Sequence, residues 1–318
     1  MPRPPATTAR AVWQKASSPS SEAAVPRRRD PLSPILEDTV RELAGLLGRG
    51  SPVAMAVNPS LEGILAATGL GYLAHADERR LRLVARGAAQ PRIGEAYLEA
   101  PSPSQEGMVE LATRVFGGFR RRCGATCARR LVLAAATDDA GVAEAIHRYV
   151  RLGFSRGMAL LDLVADGRCL ELDRLARYTL SECEHTRQFV RFSHLSDGSW
   201  MARFEPKANT IPLTAQHFVR RMPTERFFIV DPVHHVVAFH QWGARRADLL
   251  AVRGALLDGL LDRGRQVAGD EELARMLWRG FYDAVALPGR DASQRGYDLR
   301  MGLMPKRLWK NLTELTDA

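Results

Sequence analysis

Between residues 189 and 204 the chain reads Phe189-Val190-Arg191-Phe192, then Ser196-Asp197-Gly198-Ser199, then Trp200-Met201-Ala202-Arg203-Phe204. Two runs of alternating character flank an Asp-Gly pair, which accepts the positive φ of a tight loop at little steric cost, so the stretch predicts a β-hairpin. Further along, Thr210 to Met222 fits a helix with Pro212 in its first turn. Arg226 to Val230 and Val236 to His240 read as a second hairpin around Asp231-Pro232. Helices are expected over Asp248 to Leu261 and Glu271 to Val285, ahead of a polar, basic end from Gly289. Two hairpins around a helix imply an antiparallel sheet and an α+β fold.

Toward the N-terminus the pattern turns helical. Ile35 to Leu47 has apolar residues at helical spacing, and Pro52 to Val57 reads as a strand. Asn58-Pro59-Ser60 makes a turn whose Ser60 can cap a helix bearing Leu61, Ile64, Leu65, Thr68 and Tyr72. Ser104 and Asp139 are expected to start two more helices, and a long one follows from Leu170 to Gln188 with Leu172, Leu175, Thr179 and Cys183 inward. Residues 1–34 are rich in Pro and Ser and carry Arg27-Arg28-Arg29, the composition of a disordered basic tail. The expected organisation is that tail followed by one α+β domain over 35–318. The domain is helical over 35–188 and hairpin-rich over 189–243, with C-terminal helices and a basic motif over 244–318.

With 46% hydrophobic residues in 318, the chain is neither wholly disordered nor dependent on disulfides. Its net charge of +9 favours a polyanionic partner. Only four of the 45 cationic residues are lysines, Lys15, Lys207, Lys306 and Lys310, so the arginine excess also fits genome base composition. No secretory core or membrane-spanning run is seen, so a cytoplasmic, membrane-free protein with reduced cysteines is expected. Neither a metal site nor a cofactor is expected, and the common phosphate-loop, zinc-protease and serine-hydrolase motifs do not occur. Whether the chain is an enzyme stays open.

Two sets of residues can carry chemistry. Asp197, Glu205 and Lys207 match the carboxylate and Glu-x-Lys arrangement of metal-dependent nucleases, in which the acids hold Mg²⁺ and the ammonium steadies a phosphate. The second set is cationic. Arg187, Arg191, Lys207, His217, Arg220 and Arg221 fall in a stretch of net positive charge, as expected of a phosphate-tracking surface. Lys306, Arg307, Trp309 and Lys310 interleave cations with an indole that could stack on a base.

Four segments in order, Tyr149-Val150-Arg151-Leu152-Gly153-Phe154, Phe189-Val190-Arg191-Phe192, Phe204-Glu205-Pro206-Lys207-Ala208-Asn209 and Met304 to Glu314, resemble a bacterial family of DNA metabolism or DNA repair proteins. The resemblance runs from about Val53 to Glu314. Such proteins are encoded beside a radical-SAM protein of DNA modification or repair, and some are fused to a uracil-DNA glycosylase domain. Ala208 stands where relatives often have His, and Leu308 where they have Tyr. The resemblance implies a DNA repair accessory protein that binds DNA, a radical-SAM partner, or both. A metal-dependent nuclease using Asp197, Glu205 and Lys207 and a protein-only scaffold are the alternatives.

Overall fold

A computed structural model describes residues 32–87, 91–284 and 305–311. The expected basic tail falls outside them up to residue 31, as does the polar stretch 285–304. The contacts divide the chain into two compact units, Met1–Leu180 and Ser181–Ala318.

In the first unit, α1 (Pro34–Gly48) precedes β1 (Val53–Val57), which is buried at every position. A strand covered on both faces needs a continuous apolar run, and Val-Ala-Met-Ala-Val supplies it. Next come α2 (Leu61–Leu73), β2 (Leu81–Ala85) and β3 (Ala96–Glu99). Then follow α3 (Met108–Ala134), α4 (Val142–Arg156), a 3-10 turn (Gly157–Asp162) and α5 (Gly167–Phe189), which runs on into the second unit. As expected, Ser60 caps α2, its hydroxyl accepting the Gly63 N–H at 3.1 Å. The three strands form a parallel sheet in the order β2-β1-β3. This corrects the reading of 35–188 as helical: β2 alternates Leu81 and Leu83 with Arg82, the period-2 signature of a strand. Arg82 can lie partly buried because it pairs with Glu95 at 2.5 Å, a bond that holds the Glu95 carboxyl down to about 2.

β2 is an edge strand, and its outward backbone is not left bare. The Glu144 carboxylate accepts the Leu83 N–H at 3.0 Å, which blocks pairing with a further strand there. The neighbouring His147 is buried, with Nδ1 3.0 Å from the Thr68 hydroxyl. Burial, with Arg151 and Arg148 nearby, pushes its pKa down to about 3. It is a neutral core imidazole.

The second unit carries a five-stranded sheet in the order β4-β5-β6-β7-β8, over Ser193–His194, Trp200–Arg203, Phe227–Asp231, Val236–His240 and Asp248–Ala251. The second expected hairpin occurs as β6 antiparallel to β7, whereas in the first the strand that pairs antiparallel with β5 is Ser193–His194 and not the expected Phe189–Phe192. The first is shorter than expected. Helix α5 continues through Phe189, and Phe189, Val190 and Phe192 pack into the core as its exit rather than as a strand. Between the hairpins, β5 and β6 run parallel, joined by α6 (Ile211–Arg221). A strand, helix and strand in succession makes a parallel crossover, so the sheet is mixed, not antiparallel. The fold is mixed α/β, which overturns the α+β expectation of one antiparallel sheet. Asp248–Ala251, expected to open a helix, instead pairs with β7, and Gly254 at φ 52° separates it from α7 (Ala255–Arg263). Helix α8 (Gly269–Ala284) and a 3-10 turn (Lys306–Asn311) complete the described elements.

The close packing of α3 on α4 depends on one small residue. A Cβ placed on Gly153 would lie 2.3 Å from Phe119 Cε2 and 3.0 Å from both Cys123 Sγ and Leu160 Cδ2. Gly153→Ala is expected to lower stability by about 1–3 kcal/mol, the cost of overpacking a filled core. Chemical denaturation checks this; an unchanged midpoint would mean that the helices separate freely at this crossing.

Candidate nucleic-acid interface

The C-terminal half of α5 turns Glu182, Cys183 and Thr186 inward. Glu182 is 4% exposed, and a carboxylate so placed must find charged or N–H partners. It finds three. Oε2 accepts the Lys207 backbone N–H at 2.9 Å, Arg307 donates Nη2 to both oxygens at 2.5 and 2.7 Å, and His185 Nδ1 lies 3.2 Å from Oε1. Burial alone would push this carboxyl up, but the Lys207 N–H, Arg307 and His185 outweigh it, and the net shift is downward. The Thr186 and Thr210 hydroxyls meet at 2.7 Å and fix the start of α6 against the same helix. Three segments distant in sequence, the end of α5, the loop after β5 and the C-terminal motif, are thus gathered on one side chain.

That arrangement assigns several cations. Arg307 is committed to Glu182, and Leu308 beside it is 1% exposed within the core formed with Phe189, Ala202, Phe204 and Phe218. Arg191 donates to the carbonyls of Gln188 and Val190, closing the end of α5. The Lys207 and Lys306 side chains are exposed, and Trp309 is half-buried. The motif is a 3-10 turn, so Lys306 and Trp309, three apart, share a ridge. The Lys310 side chain lies outside the described residues.

A separate cluster forms where α5 and α6 end. Ile211, Thr214, Ala215, Phe218 and Val219 bury one face of α6, which leaves Arg220 and Arg221 exposed in its last turn beside the negative end of the helix dipole. His217 reports their company. Its pKa is lowered, first by burial and then by Arg187, Arg221 and Arg220, with Glu184 opposing. The imidazole is therefore neutral at neutral pH and adds hydrogen-bonding capacity, not charge. Arg187 also pairs with Glu184. Gln216 donates to the Arg245 carbonyl at 3.1 Å, so exposed Arg245 and Arg246 lie alongside the same helix.

Asp197, Glu205 and Lys207 are not brought together. Asp197 lies in the β4–β5 turn, with Glu205 and Lys207 beyond the opposite end of β5, a strand that spans roughly 10 Å. Asp197 is a structural acceptor: Oδ1 takes the Ser199 N–H and hydroxyl at 3.0 and 2.6 Å, and Oδ2 takes Arg226 and Arg263. With Asp262, Arg263 and Gln266 it lines a cleft of about 410 Å³. Glu205 pairs with Arg203 at 2.7 Å.

Sequence reasoning missed Glu182 and the Arg245-Arg246 pair. The only local signal for Glu182 was its place beside Cys183 on the inward stripe of α5.

A family profile described as a domain of unknown function, DUF4130, matches residues 140–314. No curated protein matches the chain. Among solved structures, a DHH domain described as belonging to a family of ribosomal proteins aligns over 73% of this chain and 91% of its own. Its identity is 10% and its TM-score 0.32, values that carry no argument about fold or function.

Glu182→Gln is expected to cost about 2–4 kcal/mol, the upper end being the penalty for breaking a fully buried pair. Arg307 keeps a quarter of its side-chain exposure, which moderates the loss. Because the Glu182 pKa is lowered on folding, its contribution is complete above the ordinary value of 4.5 and fades as pH falls through the lowered one. The stability gap between wild type and variant, measured by denaturation from pH 7 to 3, should therefore close at the acid end. A gap that stays constant would show that the carboxylate charge is not what holds the motif.

Proposed function

The chain belongs to the DUF4130 family of domains of unknown function, and within it we propose that this member is an accessory protein of DNA repair or DNA metabolism. In this reading it binds DNA through the cationic surface of its second unit, alone or with a radical-SAM partner, and a uracil-DNA glycosylase is a second candidate partner. The observation that carries the reading is the exposure of Arg220 and Arg221 together in the last turn of α6, with exposed Arg245 and Arg246 alongside the same helix. Exposed guanidinium groups gathered at one helix end attract anions, and a phosphate backbone supplies anions at regular spacing. The neutral imidazole of His217 can donate to or accept from a phosphate or sugar without adding charge. The partners themselves rest on the sequence resemblance described above. The nuclease alternative gains no support, because its three residues lie at opposite ends of β5.

Contacts of this kind position a protein on the backbone without reading sequence, so affinity should depend steeply on salt. Replacing Arg220 and Arg221 together by Ala is expected to flatten the plot of log Kd against log salt by about one unit per lost phosphate contact. Unchanged binding at two salt concentrations would place the interface elsewhere. Trp309→Ala separates the two parts of the C-terminal motif: it should cost less stability than Leu308→Ala, which removes the fully buried anchor, while single-stranded DNA binding weakens by about 1–3 kcal/mol if the indole stacks on a base.

A further inference from the structure

The parallel sheet of the first unit has an arrangement that nothing above uses. Its middle strand β1 has β2 on one side and β3 on the other, and the chain passes from β1 through α2 to β2 and then back across to β3. Crevices outside the carboxyl ends of such strands, where the connections part, are where open α/β sheets take ligands. At that edge the turn after β1 is tightly wound: Asn58 Oδ1 accepts the Ser60 N–H at 3.0 Å, and a Cβ on Gly63 would lie 2.4 Å from the Asn58 carbonyl oxygen. The 13-residue helix α2 therefore starts directly over the end of β1.

Two further observations point to a ligand. The Arg86 N–H donates to the Val57 carbonyl at 2.8 Å, which seats this residue beside the last residue of β1. Its Nη2 donates to the Ala100 carbonyl at 2.8 Å on the far side, while Ala100 itself bonds to Ala56. The guanidinium thus crosses the carboxyl end of the middle strand, next to the start of α2, with the exposed Glu99 carboxylate 3.6 Å away as a loose counter-charge that a phosphate would displace. The second is Glu62, which is 4% exposed in the first turn of that helix. Its carboxyl turns back toward the Ser60 hydroxyl and its own N–H, and its buried Oε1 has no hydrogen-bond partner among the described residues. An orphaned buried acceptor is costly, and a ligand donor would relieve it.

We propose that the carboxyl edge of this sheet binds a hydroxyl-bearing phosphate monoester. The phosphate is taken by the N-terminus of α2 and Arg86, and a hydroxyl donates to Glu62 Oε1. Anions favour helix N-termini, and a guanidinium over the same point adds the charge that an N-terminus alone lacks. Glu62 does not defeat this, because burial pushes its pKa up and eases repulsion of the phosphate. Both sugar phosphates and nucleoside monophosphates have this chemistry.

Calorimetric titration of the full chain with ribose 5-phosphate, adenosine 5′-monophosphate, inorganic phosphate and ribose tests the proposal. At least one ester should bind about tenfold or more tighter than phosphate or ribose alone. The tighter of the two esters identifies the source. Arg86→Ala should remove the advantage of the ester over ribose; Arg86→Lys, which keeps the charge, should retain part of it and serves if the alanine variant fails to fold. Glu62→Ala should reduce ester binding to the level of inorganic phosphate in protein that remains folded. Equal affinity for phosphate and both esters, meaning an adventitious anion only, would overturn the proposal. So would no ester binding, or a folded Arg86→Ala variant that binds as wild type does. None of these results bears on the cationic surface of the second unit.

Discussion

A carboxylate taken out of water is stable only if its surroundings return what solvation supplied, and Glu182 imposes that condition on the second unit. Its three partners come from its own helix, from the loop after β5 and from the C-terminal motif. The loop must pass close enough to offer the Lys207 N–H, which fixes where α6 can begin. The C-terminal turn must present Arg307, which places Leu308 over the core. Among the cations that this condition does not use, Arg220 and Arg221 are exposed at the end of α6.

The first unit is organised by a different constraint, since an all-parallel sheet must be covered on both faces and its edges closed. β1 and α2 are accordingly apolar almost throughout, and Glu144 occupies the open backbone of β2. Small residues set how near the layers come: Gly69 faces Leu111, Gly71 faces Leu81 and Gly153 faces Phe119, each too close for a Cβ. The few polar side chains of the interior are mostly hydroxyls bonded locally, such as Thr68 beside the neutral His147.

Features set by neighbouring residues were legible in the sequence. The Asp197-Gly198 turn, the Ser60 cap, the inward stripe of α5 and the limits of α6 depend on local geometry, and each appears close to where its pattern placed it. Strand direction was not legible from pairing signals alone, although the helix between β5 and β6 was itself the sign of a parallel crossover. β2 and β3 are short, and the Arg82–Glu95 pair hid a charge inside the first of them. At the candidate site, the density of cations between Arg187 and Arg221 was the visible sequence signal. It could not separate cations that face outward from Arg191 and Arg307, whose acceptors are backbone carbonyls and a carboxylate 125 residues away.

That separation has a consequence for synthesis. A nascent chain that has emerged only as far as α8 contains Glu182, His185 and Lys207 but not Arg307. The buried carboxylate then lacks its strongest counter-charge, and the core lacks Leu308. Domains form as units while the chain is made, N-terminal parts first, and contacts distant in sequence close last. The first unit can therefore form early in synthesis, whereas the second must wait for Arg307 and Leu308 before it is sealed. Chains cut short before Arg307 would carry a complete sheet around an unclosed centre, a species exposed to aggregation or proteolysis.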